Sequence, residues 1–385
     1  MRRLVLLLAG LAVIASVAVA SSGGATHAQA RWVIEDLGTL GGKESAAADI
    51  NSHGQIVGWG ETKSGHRHAA LWQSGKVRDL GTLGGASSSA ADINDRGQVV
   101  GQSDTKSGDL RAFLWEKGKM RDLGTLGGKW SHADAINERG QVIGNSEIKG
   151  KAADWHAFLW EKGKMLDLGT LGTLSEAVAI NDRRQIIGSS YTKSNPHAFV
   201  WQSGKMQDLG TLGGWYSEVR DLNEHGQVVG ISSTSADRTH AFLWQSGKMR
   251  DLGTLGGTES FATAINEHAQ IVGTSKNGVE PHAYVWQSGK MTDLGTLPGS
   301  RRSDAVALNE RGQIVGTCGM YPTDHACIWD KGKPTDLRTL GGRRSAALRI
   351  NELGLTIGWS ETGAVVQSGS SRVGVRHAVL WTLKP

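Results

Sequence analysis

The chain has only two cysteines in 385 residues, Cys318 and Cys327, so no disulfide framework holds a fold of this size together. Both fall in one unit of a repeating pattern, on strands expected to be adjacent and antiparallel. A local disulfide is one reading, and two small buried apolar residues are the other. Past residue 30 there is no second long apolar run, which leaves no further spanning segment. No stretch shows a capped helical period. Basic tracts and aromatic RNA motifs are also missing, and the formal charge is only +5. That excludes an argument for nucleic acid. The recurrent third-strand histidines come at most one per repeat and not at zinc-ligand spacing. No cofactor or metal is called for.

What is present begins with an export signal. Arg2 and Arg3 form a positive start, and Leu4 to Ala20 is apolar and uncharged. Small-x-small cleavage sites follow at Ala18-Val19-Ala20 and Ala28-Gln29-Ala30. Cleavage after Ala30 is expected, because the repeats start at Arg31. An uncleaved anchor is the alternative. Residues 1–30 then read as a secretory signal peptide and 31–385 as one secreted or periplasmic domain. The mature chain has 355 residues (385 minus 30), carries +3 without Arg2 and Arg3, and is expected to be monomeric and free of the membrane.

The domain is built on one heptapeptide, DLGTLGG. Its Asp recurs at Asp36, Asp79, Asp122, Asp167, Asp208, Asp251, Asp293 and Asp336, at gaps of 43, 43, 45, 41, 43, 42 and 43 residues. That is the length of a four-stranded propeller blade. In the second unit, four short segments read as strands: an Ala-rich one ending in Ile93-Asn94, Gln98–Gly101, Ala112–Trp115 and Met120–Leu123. Asn94-Asp95-Arg96-Gly97 and Glu116-Lys117-Gly118-Lys119 place Gly where tight hairpins need positive φ. Eight recurrent tryptophans (Trp72, Trp115, Trp160, Trp201, Trp244, Trp286, Trp329 and Trp381) are expected to pack between blades. Ala47, Ala90 and their equivalents suit a crowded innermost strand.

The chain starts on a fourth strand, Trp32–Asp36, and ends on a third, His377–Trp381. An open solenoid would have no reason to split a unit between its ends. The sequence therefore predicts an all-β, eight-bladed β-propeller, closed by pairing the N-terminal strand into the last blade. A β-helix or two smaller barrels is the alternative.

His-Ala-Phe stands at 156–158, 197–199 and 240–242, with variants at His68, Arg111, His282, His325 and His377. Together with INxxGQxVG and GKMxDLGTLGG, this resembles the bacterial extracellular HAF repeat family over residues 31–385. The resemblance implies an exported repeat protein and brings no catalytic residues with it. Departures are local: Arg111 for the His, Cys327 for the Phe, and Arg338 for the Gly after Asp-Leu.

A residue set present in every unit is read as scaffold. The repeated Ser, His and Asp therefore read as a structural hydrogen-bond network and not as eight catalytic triads. Asp92-x-Asn94-Asp95-x-Gly97 is similar to a calcium loop, but Arg96 stands where an oxygen ligand is needed. DLGTLGG lacks the Lys-Ser/Thr of a phosphate loop.

Function is sought where units differ. The pair before each recurrent Ser varies most and is expected on one rim. Lys43, Arg301, Arg302, Arg343 and Arg344 would form a basic arc there. Trp130, Trp215 and Tyr216 would form an aromatic arc, with Glu176 and Glu218 beside it. Rings cover apolar sugar faces and charged groups bind hydroxyls or acids, so the expected partner is an extracellular glycan or protein. A second variable region, Gly363 to Arg376, is expected to be a mobile outer loop. The main expectation is a non-enzymatic binding or scaffold module. The alternative is a carbohydrate-active hydrolase or lyase with Glu176 and Glu218 as acid and base.

Overall fold

A computed structural model of the chain describes residues 31–150, 154–192, 195–368 and 371–384. The expected leader at 1–30 lies outside the described residues. Every regular element among the described residues is a strand, and no helix among them is long and apolar enough to cross a membrane. The strands form eight four-stranded antiparallel sheets, arranged as an eight-bladed propeller. Blade one runs Gly41–Ile50, Ile56–Thr62, Arg67–Gln73 and Lys76–Asp79. Blade eight takes Ser345–Ile350, Thr356–Ser368 and Ser371–Lys384, and its fourth strand is Arg31–Asp36 from the other end of the chain. The split unit closes the ring as expected.

Packing between blades is the core. Val57, Ala69, Leu71 and Leu80 of blade one meet Ala90, Ile93, Val99, Phe113 and Trp115 of blade two. All eight recurrent tryptophans are buried. Each hides about 150–250 Å², or roughly 4–6 kcal/mol gross at about 25 cal/mol per Å². The Gly of the second strand permits this density. A Cβ on Gly188 would lie 2.0 Å from the Glu176 carbonyl oxygen and 2.5 Å from the Phe199 ring.

The INxxGQ turn does more than reverse the chain. Asn51 Oδ1 accepts the backbone N–H of His53 (3.1 Å) and of Gln55 (2.9 Å). Its Nδ2 donates to Gln55 Oε1 (2.8 Å) and to the carbonyl oxygen of Asn94 in the next blade (3.1 Å). The link between blades repeats from Asn94, Asn137, Asn181, Asn223, Asn266 and Asn309. Asn351 then donates to the Asn51 carbonyl at 2.9 Å. Eight buried asparagines make a closed hydrogen-bonded belt around the ring.

The repeated Ser, His and Asp form two separate links and not one chain. Ser88 Oγ accepts the Ala69 N–H (2.8 Å) and donates to the Gly81 carbonyl (2.6 Å), tying blade two to blade one. His68 Nδ1 meets Asp79 at 2.9 Å across strands three and four. At the closure the same pair is His377 and Asp36, at 2.8 Å.

Cys318 and Cys327 are joined by a disulfide across the second and third strands of blade seven. The expected mobile loop of blade eight is instead a strand extension. Val365 pairs with Gly374 and Val366 with Val373, past an irregularity between Glu361 and Val365.

Candidate functional site

The two variable regions share one face. The N–H groups of Lys43 and Glu44 donate to Glu61 Oε2 at the end of the second strand (2.9 and 3.1 Å). Trp215 N–H donates to Ser233 Oγ (2.6 Å), and Lys276 pairs with Glu259 (2.7 Å). Each variable pair thus lies against a loop between strands two and three. The face opposite carries the asparagine turns, which are nearly invariant.

On the variable face, blades four and five enclose an open groove of about 630 Å³. Tyr191 and Pro196 line it from blade four; Trp215, Tyr216, Glu218 and Asp237 line it from blade five. The Trp215 and Tyr216 rings lie 4.6 Å apart at 54°. Trp215 Nε1 donates to Asp237 Oδ1 (3.0 Å), and the Tyr216 hydroxyl bonds Thr239 Oγ1 (2.5 Å). These bonds hold the rings before any ligand arrives. Trp215 remains 52% exposed and Tyr191 42% exposed. Large exposed rings at one concave site cost apolar hydration and mark a contact surface.

A polar cluster lies between blades three and four. Asn145 Oδ1 accepts the Ala177 N–H (2.9 Å), which fixes the amide. Its Nδ2 therefore points at Asp134 Oδ2 (2.9 Å) and His132 Nε2 (3.2 Å). That ring nitrogen must accept, so His132 is neutral with its proton on Nδ1. Burial also lowers its pKa. Burial, then the neighbouring Glu176 charge, raises Asp134 to about 7. A carboxyl in that range holds or gives up a proton near neutrality.

The expected site residues divide accordingly. Trp215, Tyr216 and Glu218 meet in the groove, whereas Glu176 belongs with Asp134. Glu218 pairs with Arg220 on its own strand at 3.0 Å. The two glutamates thus have different neighbours. Trp130 is 46% exposed on blade three and is not part of the groove wall. The basic arc is partly spent: Arg302 pairs with Glu280 (2.7 Å), and Arg344 holds Asp324 through Nε and Nη2 (2.7 and 2.9 Å). Lys43, Arg301 and Arg343 have no ion pair among the described residues. Arg301 instead lines a second groove of about 560 Å³ in blade seven, with Met320, Tyr321 and His325.

Tyr191, His132, Asp134 and Asn145 were not singled out from the sequence. A signal was available for two of them: Asp134 stands where five of the other seven units hold Ala, Val or Leu, and Tyr191 where four hold Glu or Asp, whereas the places of His132 and Asn145 hold no common residue type. The half-buried carboxylates Asp92 and Asp221 serve the scaffold. Asp92 Oδ2 accepts the Ile136 N–H (2.7 Å), and Asp221 Oδ2 accepts that of Ile265 (2.9 Å).

No family model and no curated protein matches the chain. Among solved structures it is similar to the β-propeller domain of the Trilobed protease from Pyrococcus furiosus, with a TM-score of 0.50 and 9% identity over 77% of this chain and 98% of that one. It is also similar to the acylaminoacyl peptidase of Pyrococcus horikoshii, with a TM-score of 0.46 and 11% identity. The match covers 84% of this chain but spans only 58% of that peptidase. A gluconolactonase from Xanthomonas campestris, XC5397, gives a TM-score of 0.37 and 10% identity over 92% of this chain and 90% of that one. At such identities the likeness speaks for the propeller fold alone.

Proposed function

We propose that this propeller is an exported binding module whose variable face takes an extracellular glycan in the groove of blades four and five. One observation carries the reading: Trp215 and Tyr216, in contact at a tilt and held by hydrogen bonds, line the wall of an open groove of about 630 Å³. Flat rings bury the apolar face of a sugar, and the flanking carboxylates accept hydrogen bonds from its hydroxyls. Export rests on the leader-like residues 1–30 and on the resemblance to the HAF repeats. The peptidase and gluconolactonase activities of similar structures do not enter this reading, because at 9–11% identity the likeness shows the fold alone.

A glycan array probed with the secreted protein tests it. Trp215→Ala with Tyr216→Ala is expected to abolish retention on the glycans bound by the unaltered protein, with the melting temperature little changed. Retention unaffected by that double substitution would refute the assignment.

The second reading is a carbohydrate-active enzyme. It moves from the expected Glu176 and Glu218 to Asp134 and Glu176. Asp134, raised to about 7 by burial first and by the neighbouring Glu176 second, has the proton affinity of a general acid, with Glu176 as the second carboxylate. Release of new reducing ends from a bound glycan, lost in Asp134→Asn, would favour this reading over pure binding.

A further inference from the structure

The residues around the groove are of one kind of charge. Tyr191, Trp215 and Tyr216 supply three aromatic faces, Glu218 and Asp237 supply two carboxylates, and no Lys, Arg or His is among the lining residues. Two arginines of blade five lie nearby without lining the groove: Arg220 pairs with Glu218 at 3.0 Å, and Arg238 follows Asp237 in the chain. Glu218 uses Oε2 for Arg220 and Asp237 uses Oδ1 for Trp215. Glu218 Oε1 and Asp237 Oδ2 have no hydrogen-bond partner among the described residues. Aromatic faces attract cations through the ring quadrupole, and carboxylates nearby add to that attraction.

The backbone narrows the class further. The second strand of blade five, Val228–Thr234, is paired on both sides. It offers no free row of N–H and C=O groups to an incoming peptide strand. Recognition must run through side chains, and the side chains are rings and acids.

We propose that this groove selects glycans bearing free amino groups, protonated in solution. The sugar face lies on Trp215, and its ammonium group reaches Glu218 and Asp237. This rests on the glycan reading above and adds the charge of the ligand to it. Neutral sugars would use the same rings without the ionic contacts.

Isothermal titration of the full secreted chain with two hexasaccharides tests this: β-1,4-linked glucosamine and its N-acetylated counterpart. At about pH 5.5 the amines are charged and ordinary carboxylates are ionised. The amino hexamer is expected to bind about tenfold or more tightly than the acetylated one, and to lose that advantage near 0.5 M salt (a Debye length of about 4 Å). Glu218→Gln with Asp237→Asn keeps the hydrogen-bond acceptor for Trp215 and removes both charges. It is expected to erase the preference by weakening the amino hexamer more than the acetylated one, so that the two affinities become equal. Trp215→Ala is expected to weaken both ligands, and the exposed position of Trp215 predicts an unchanged melting temperature.

Equal affinities for the two hexamers, weakened alike by Trp215→Ala, would overturn the charge selection and leave the glycan reading standing. Binding to neither hexamer would overturn the inference, and with silence on the glycan array it would remove the reading beneath it. Tighter binding of a pentalysine peptide than of the amino hexamer would overturn the choice of a glycan.

Discussion

At the scale of single residues, identity in every unit means scaffold and departure means a candidate role. Asp134 illustrates the second case. Its equivalents in the other units are Ala, Val, Thr, Leu and, in unit five, Arg220. Burial and the Glu176 charge raise its carboxyl from the ordinary 3.8 to about 7. A group whose folded pKa is raised binds its proton more tightly in the folded state. Its stabilising contribution is complete below the unfolded value and is lost as pH climbs through the folded one. Wild-type protein is therefore expected to lose stability between about pH 4 and about pH 7 through this residue. Asp134→Asn keeps an acceptor for Asn145 and removes the titration, so its stability should fall less over the same interval. Urea denaturation of both proteins across that range measures the difference, and parallel curves would rule the effect out.

At the scale of elements, blade seven departs most from the repeat. Cys327 occupies the place of the buried Phe113, Phe158, Phe199 and Phe242, and Cys318 that of a buried Ser. The bridge replaces ring packing over the second-strand Gly with a covalent tie. Its sequence separation of nine residues corresponds to about 2–3 kcal/mol from restriction of the unfolded chain. Denaturation with and without reductant is expected to differ by about that amount. Cys318→Ser with Cys327→Phe restores the consensus pair and should recover part of the loss without a disulfide. The sequence made these strands and hairpins legible because alternation, turn glycines and tryptophans repeat eight times, and chance cannot mimic that. It did not disclose the hairpin of blade eight. Ser, Gly and Val in 363–376 suit a loop as well as a weak strand, and pairing Val365 with Gly374 depends on the partner strand.

At the scale of the whole molecule, the ring is shut by two independent devices. The sequence announced one of them, because a unit split between the chain ends has no use in an open array. It hid the other. Asn51 in INxxGQ reads as a turn residue, and its donation to the next blade exists only once eight turns face one axis. The groove was half legible for a similar reason: Trp215, Tyr216 and Glu218 are close in sequence, while Tyr191 reaches the groove from the neighbouring blade. The two closures can be separated. Removing residues 31–36 abolishes six strand pairings, the Asp36–His377 pair and the packing of Trp32 and Ile34 on blade eight. Asn351→Ala breaks the last link of the belt, where the Asn51 carbonyl keeps the Gly54 N–H, and it also removes the acceptor of the Leu353 and Leu355 N–H groups in its own turn. An unpaired buried polar group costs about 1–3 kcal/mol, so Asn351→Ala should lower stability by that order and leave the radius of gyration unchanged. The strand deletion should instead expose the edge of blade eight, broaden the small-angle scattering profile and promote self-association through that edge. If the deletion left both the scattering and the melting temperature unaltered, the belt alone would be sufficient to close the ring.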